Sequence, residues 1–76
     1  MKNNITIQMT SDEAIVLYEF LCRFNNQKET TDLQDQSEQR ALWDIETILE
    51  KQLIDTFKSD YLAIVEQARN KIRDKD

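Results

Sequence analysis

Apolar residues occupy every second position across residues 4–9, at Ile5, Ile7 and Met9. This period is typical of a half-buried β-strand. No other segment of the chain alternates in the same way, and a single strand cannot satisfy its own backbone hydrogen-bonding groups. We therefore expect a short strand over residues 4–9 that pairs with another chain or lies along the helices as an arm. Antiparallel pairing across the twofold axis of a dimer is the simplest of these arrangements.

The next segment carries the signals that begin and end a helix, which we predict over about residues 11–24. Thr10 and Glu13 have the spacing of a capping box, in which each side chain accepts a hydrogen bond from the other residue's backbone N–H. At the other end, Asn25 and Asn26 can take the left-handed backbone conformation that often terminates a helix. The polar residues 25–34 are then predicted to form a linker.

The first helix is apolar around most of its circumference. Its main apolar arc contains Ala14, Ile15, Leu17, Tyr18, Leu21, Cys22 and Phe24. Val16 and Phe20 lie outside this arc, and only a narrow charged stripe remains. A helix with this pattern is buried nearly all round. We therefore expect either that the rest of the chain wraps around it or that one of its sides contacts another subunit.

Two further helices are predicted over about residues 35–57 and 60–73. The apolar stripe of the second helix consists of Ala41, Leu42, Ile45, Ile48, Leu49 and Leu53. The stripe of the third consists of Tyr61, Ile64, Val65, Ala68 and Ile72, and either Ser59 or Asp60 can cap its start. The expected fold is mainly α: a single domain over residues 1–76 in which a short N-terminal β-strand precedes three helices.

Composition narrows the chemistry that this chain can perform. It contains no histidine, no glycine, no proline and a single cysteine, Cys22. Histidine is the side chain best suited to proton transfer near neutral pH and the commonest metal ligand, and glycine supplies the backbone freedom of phosphate-binding loops. We therefore expect no enzymatic activity, no catalytic residues, no metal site and no cofactor. Cys22 lies on the apolar arc, where we expect a buried, unreactive thiol.

Size favours a dimer. A core built from 76 residues rarely supplies more than about 3–5 kcal/mol without further support, and one cysteine cannot form a disulfide within the chain. Association through apolar faces is the simplest remaining source of stability, so we expect a homodimer. The sequence contains no export signal and no apolar run long enough to span a bilayer. We therefore expect a cytoplasmic protein without membrane association.

Negative charge is concentrated in the middle of the chain. The formal net charge is −5, and residues 29–60 hold nine carboxylates against three basic side chains. Such an excess is typical of solvated helix faces. It would also suit an acidic docking surface for a basic protein partner, as in an immunity protein or an antitoxin. Glu46 and Glu50 lie one helical turn apart, and we expect both on an exposed face with a surface role.

Six apolar residues are candidates for an interface: Ile5 and Ile7 of the strand, Val16 and Phe20 of the first helix, and Trp43 and Ile54 of the second. Trp43 lies opposite the apolar stripe of its helix, on the same side as Ile54. It can pack against the third helix, or it can anchor a second subunit or a partner, a role in which tryptophan is enriched. Both interpretations are compatible with the sequence.

A short strand, a capped helix, a polar loop and a second helix over residues 2–54 resemble the ribbon-helix-helix DNA-binding fold. In that family, strands paired across a dimer place outward side chains in the major groove, and Asn4, Thr6 and Gln8 are polar residues that could contact bases. The inter-helix turn is longer than in that family, and Lys2 is the one basic residue near the strand, whereas phosphate contacts dominate DNA affinity. We therefore expect no nucleic-acid binding and keep a ribbon-helix-helix-like DNA-binding regulator as an alternative.

Residues 10–21 and 38–53 are similar to a group of small bacterial proteins. This resemblance implies a bacterial or phage source and brings no activity to transfer. The sequence as a whole predicts a homodimer that acts by protein–protein interaction, in a regulatory role, with an acidic immunity protein or antitoxin as a further alternative.

Overall fold

The computed structural model describes residues 3–27, 33–58 and 60–74. It contains three α-helices, α1 (Ser11–Asn25), α2 (Gln36–Leu53) and α3 (Tyr61–Arg73), and a short 3-10 helix at Thr56–Lys58. The expectation of a mainly α protein with three helices is confirmed. That the whole chain forms one domain stays a prediction.

The N-terminal segment has no regular secondary structure. Residues 3–10 precede α1 without helix or strand, and no strand occurs anywhere in the described ranges of this single chain. The side chains of Ile5 and Ile7 are 87% and 74% exposed. The strand predicted over residues 4–9 is therefore not shown. A strand forms its hydrogen bonds with a neighbouring strand, and the described residues contain no second strand.

The capping box at the start of α1 is confirmed. The Thr10 hydroxyl accepts a hydrogen bond from the Glu13 backbone N–H at 3.1 Å, and the Glu13 carboxylate accepts one from the Thr10 N–H at 2.9 Å. The predicted left-handed ending of the helix is wrong, since no residue in the described part of the chain has a positive φ. Instead, the Asn26 side-chain amide donates to the Cys22 carbonyl at 2.7 Å and satisfies a terminal acceptor directly.

α2 is shorter than the sequence pattern predicts. Asp35 caps it by accepting a hydrogen bond from the Ser37 N–H at 2.8 Å, but the helix ends at Leu53 rather than at residue 57. The chain then turns into the 3-10 helix, and the Phe57 ring lies 5.5 Å from that of Tyr18 and 4.8 Å from that of Tyr61. These ring contacts favour the 3-10 turn over a continuation of α2, because aromatic pairs at such distances stabilise the fold beyond the free energy gained by burial alone.

The connections around α2 and α3 agree in part with their predicted positions. The connection from α1 to α2 spans residues 26–35, compared with the predicted linker over 25–34, and residues 28–32 lie outside the described ranges. Asp60 caps α3 by accepting a hydrogen bond from the Ala63 N–H at 3.3 Å. The other predicted cap, Ser59, also lies outside the described residues.

The helix α1 lies at the centre of the fold. α2 and α3 each pack against α1 and make far fewer contacts with each other. The buried core consists of Ala14, Ile15, Leu21, Leu49, Leu53, Val65 and Ala68. All three helices contribute to this core, and α1 supplies the residues that contact both neighbours.

The apolar stripe of α2 is wider than the surface that α1 covers. Leu49 and Leu53 are buried, and Leu42 packs against the core. Ile45 and Ile48, by contrast, remain 40% and 58% exposed. The six residues predicted as one apolar stripe therefore divide into an inner row of Leu42, Leu49 and Leu53 and an outer row of Ala41, Ile45 and Ile48.

We expect Thr10→Ala to lower the free energy of unfolding by about 1 kcal/mol, because it leaves the Glu13 N–H without its acceptor. Ser11→Ala, at the adjacent exposed position, is the matched control and should stay within about 0.5 kcal/mol of the parent. Urea unfolding followed by circular dichroism measures both. Equal losses for the two variants would show that the cap contributes nothing.

Candidate interaction surface

One side of α1 is only partly covered by α2 and α3 and carries a row of apolar side chains, of which Val16 and Leu17 also pack against the core. Val16, Leu17 and Phe24 are half-buried, and Phe20 is 45% exposed. The rings of Phe20 and Phe24 are four residues apart and stack with their centroids 5.7 Å apart. Two covering helices thus leave a third apolar side of α1, and contact of this side with another subunit stays a prediction.

This side of α1 forms one wall of a groove whose other wall is α3. The groove has a volume of about 370 Å³. Its apolar lining consists of Val16, Leu17, Phe20 and Ile72, and its polar lining of Glu13, Glu19, Arg23 and Arg69. We call this feature the α1–α3 groove. Val16 and Phe20, both predicted as interface residues, are brought together in it.

One carboxylate holds the two arginines of the groove. Glu19 accepts hydrogen bonds from Arg23 at 3.1 Å and from Arg69 at 2.9 Å, which links α1 to α3. The Arg23 guanidinium also lies 5.7 Å from the centroid of the Phe20 ring, within the range of a cation–π contact. Glu13 also lines the groove, so its polar lining holds two carboxylates and two guanidinium groups, both of the latter bound by Glu19.

The other predicted interface residues do not join this groove. Trp43 is 44% exposed, and Ile54, just beyond the end of α2, is 61% exposed. Trp43 is not among the side chains that pack against the core. The two residues are eleven positions apart, which corresponds to about 16 Å of helical rise, so they do not form one compact contact. Ile5 and Ile7 are exposed in the N-terminal segment.

A polar cluster between α1 and α2 was missed by the sequence analysis. Glu46 accepts a hydrogen bond from the Asn25 side-chain amide at 2.7 Å and one from the Cys22 thiol at 3.5 Å. The prediction that Glu46 lies on an exposed face is therefore wrong. Its position, four residues after Leu42 and three before Leu49, is the signal that could have placed it in the inner row.

The same cluster keeps the thiol of Cys22 protonated. Cys22 is half-buried rather than buried, and its partial burial, together with the negative charge of Glu46, raises the pKa of its thiol. The pKa of Tyr18 is also raised, first by its hydrogen bond with Cys22 and then by burial. A neutral thiol is a poor nucleophile, so this arrangement suits a structural contact between helices.

The described residues hold no group of three or more acidic or cysteine side chains placed to bind a metal ion. No helix in this part of the chain is both long enough and apolar enough to cross a membrane. Comparison of the chain with known proteins found no matching family model, no similar curated protein and no similar solved structure. The resemblance to small bacterial proteins therefore stays a prediction.

We expect the free energy of unfolding to fall as the pH rises above about 9. The pKa of the Cys22 thiol is raised above its ordinary value of 9.0 in the folded protein, so the unfolded chain loses this proton first. The contribution of the protonated Cys22 thiol to the free energy of unfolding is complete below about pH 9. It is lost as the pH rises towards the raised pKa of this thiol in the folded protein.

Urea unfolding at about pH 8 and pH 10 measures this change. Cys22→Ser, which keeps a small hydrogen-bond donor beside Glu46 but does not titrate in this range, should show a smaller loss than the parent. If the parent and the variant lose stability equally, the thiol does not couple to folding.

Proposed function

We propose that this chain is a non-enzymatic homodimer that acts by protein–protein interaction in a regulatory role, and that the uncovered apolar side of α1 lies at its dimer interface. The observation that carries the proposal is the exposure of Phe20, beside Val16 and Ile72, on the helix around which the whole core is built. Aromatic residues in partly enclosed apolar surroundings are typical anchors of interfaces.

The small size of the core supports self-association. The buried core of the described residues consists of seven apolar residues, and one of them, Leu21, is a large side chain that is fully buried. A domain of this length gains little stability from its own core. Association that covers a further apolar surface would add to the stability of the folded state by mass action.

The N-terminal segment supplies a second surface for the same dimer. Ile5 and Ile7 are among the most exposed apolar side chains of the chain and keep the alternation of a strand. We place the predicted strand over residues 4–9 in an antiparallel pair across the dimer axis, where each copy satisfies the backbone groups of the other. The chain's one cysteine is a free thiol, which fits a cytoplasmic site of action.

An acidic docking surface for a basic partner has less support. The Glu46 carboxylate faces Asn25 and Cys22 inside the helix contact, and Asp55 pairs with Lys58 at 3.2 Å. These two carboxylates of the acidic middle therefore already have partners within the chain. No observation favours DNA binding by the exposed N-terminal segment. A gel shift at low salt would detect such binding.

We expect Phe20→Asp to convert the dimer to a monomer, because it puts a charge into the apolar contact. Leu62→Asp is the matched control: Leu62 is 77% exposed on α3 and does not line the groove. Gel filtration with light scattering should give a monomer mass for the first variant and a dimer mass for the second. A dimer that survives Phe20→Asp would place the interface elsewhere.

We expect Ile5→Asp to weaken the dimer, since a charge would enter the face on which the paired strands bury their apolar residues. Thr6→Asp is the control, because adjacent residues of a strand point to opposite faces. Sedimentation equilibrium gives the dissociation constant of each variant. Equal effects of the two substitutions would mean that the segment does not pair as a strand.

A further inference from the structure

The uncovered side of α1 is matched by a second uncovered apolar surface, on α2. Ala41, Ile45 and Ile48 form its outer row, and all three side chains are exposed. We call this surface the outer row of α2. The proposed homodimer places the uncovered side of α1 at the interface but does not specify the surface of the other copy that meets it. The outer row of α2 is a second exposed apolar surface that could do so.

We propose that the outer row of α2 of one copy docks in the α1–α3 groove of a second copy, and that the second copy returns the same contact. This inference rests on the proposed homodimer and specifies its interface. Each copy then contributes one groove and one helix, and the two contacts are related by a twofold axis, so the assembly closes at two chains.

The shapes of the two surfaces fit this arrangement. Ala41, Ile45 and Ile48 have the i, i+4, i+7 spacing by which an amphipathic helix places its anchors in an apolar groove. The groove offers Val16, Phe20 and Ile72 between two helices, with a volume of about 370 Å³. An apolar row that projects from one helix is the natural complement of a groove between two others.

Charge complementarity favours a second copy as the occupant. α3 carries Arg69, Lys71 and Arg73 against Glu66, a net charge of +2. The exposed charged side chains of α2 carry a net charge of −1, since Glu46 lies in the contact with α1; they are Glu38, Asp44 and Glu50 against Arg40 and Lys51. A contact between the α2 of one copy and the α3 wall of the other copy therefore joins opposite charges.

Individual positions point to the same pairing. Asp44 is exposed, three residues after Ala41 and four before Ile48, and therefore borders the outer row of α2. On the groove, Arg23 and Arg69 share the one carboxylate of Glu19.

Complementation of two monomeric variants tests the proposal. Phe20→Asp disables the groove, and Ile48→Asp disables the outer row of α2. Each variant alone loses both contacts of the dimer. In an equimolar mixture, the intact groove of the Ile48→Asp chain meets the intact row of the Phe20→Asp chain, and one contact is restored. We expect native mass spectrometry of the mixture, with one chain tagged, to show the heterodimer at concentrations where each variant alone is a monomer.

A charge exchange provides a second test that does not depend on the apolar substitutions. Arg69→Asp and Asp44→Arg should each weaken the dimer by about tenfold or more in dissociation constant, and the chain that carries both substitutions should recover most of the loss. Leu62→Asp, on an exposed apolar residue outside both surfaces, is the control and should leave the dissociation constant unchanged. Circular dichroism checks that each variant is folded.

The outcomes separate this inference from the proposed function. If the parent is a dimer, but Ile48→Asp leaves it unchanged or the two monomeric variants fail to complement each other, the docking of α2 in the groove is wrong while the homodimer stands. If the parent is a monomer at every concentration, both proposals fail. Complementation together with recovery in the charge-exchanged chain supports the reciprocal contact.

Discussion

Packing of α2 and α3 against two sides of α1 is the interaction on which the rest of this fold depends. The buried core contains residues of all three helices, but α2 and α3 contact α1 far more than they contact each other. The central helix is apolar around most of its circumference. Two neighbours cannot enclose such a helix, and the third side remains as the wall of a groove. The exposed position of Phe20 follows from the number of helices rather than from any local irregularity.

Polar contacts determine how the outer helices sit on the central one. Glu46 binds Asn25 and Cys22 within the contact of α1 with α2, and Glu19 binds Arg69 across the contact with α3. A half-buried carboxylate that loses its partners is costly, so these contacts disfavour other rotations of the two helices. The rotation of α2 that places Glu46 against α1 also turns Ile45 and Ile48 outward, which connects the polar cluster to the exposed outer row.

The sequence was most informative where structure is determined locally. The capping box of Thr10 and Glu13, the cap at Asp60 and the existence of three helices depend on residues within one turn of each other. The end of α2 depends instead on the aromatic contacts of Phe57 with distant residues, and no nearby glycine or proline marks it. Tertiary contacts of this kind regularly override local helix patterns.

Dependence on distant residues also explains why the position of Glu46 was not predicted. Its hydrogen-bond partners are more than twenty residues away along the chain. Of the candidate surface, Val16 and Phe20 were predicted, but the contribution of α3 through Ile72 and Arg69 could be seen only in the fold.

The central claim is that the chain needs a second copy to cover its apolar surface, and the dependence of the melting temperature on protein concentration tests it most directly. A folded dimer that unfolds to separate chains is stabilised by mass action, so its melting temperature rises with concentration. Thermal unfolding followed by circular dichroism over about a hundredfold range of concentration should show a steady rise, and the rise should vanish in Phe20→Asp. A melting temperature that stays constant over the whole range in the parent chain would contradict the account.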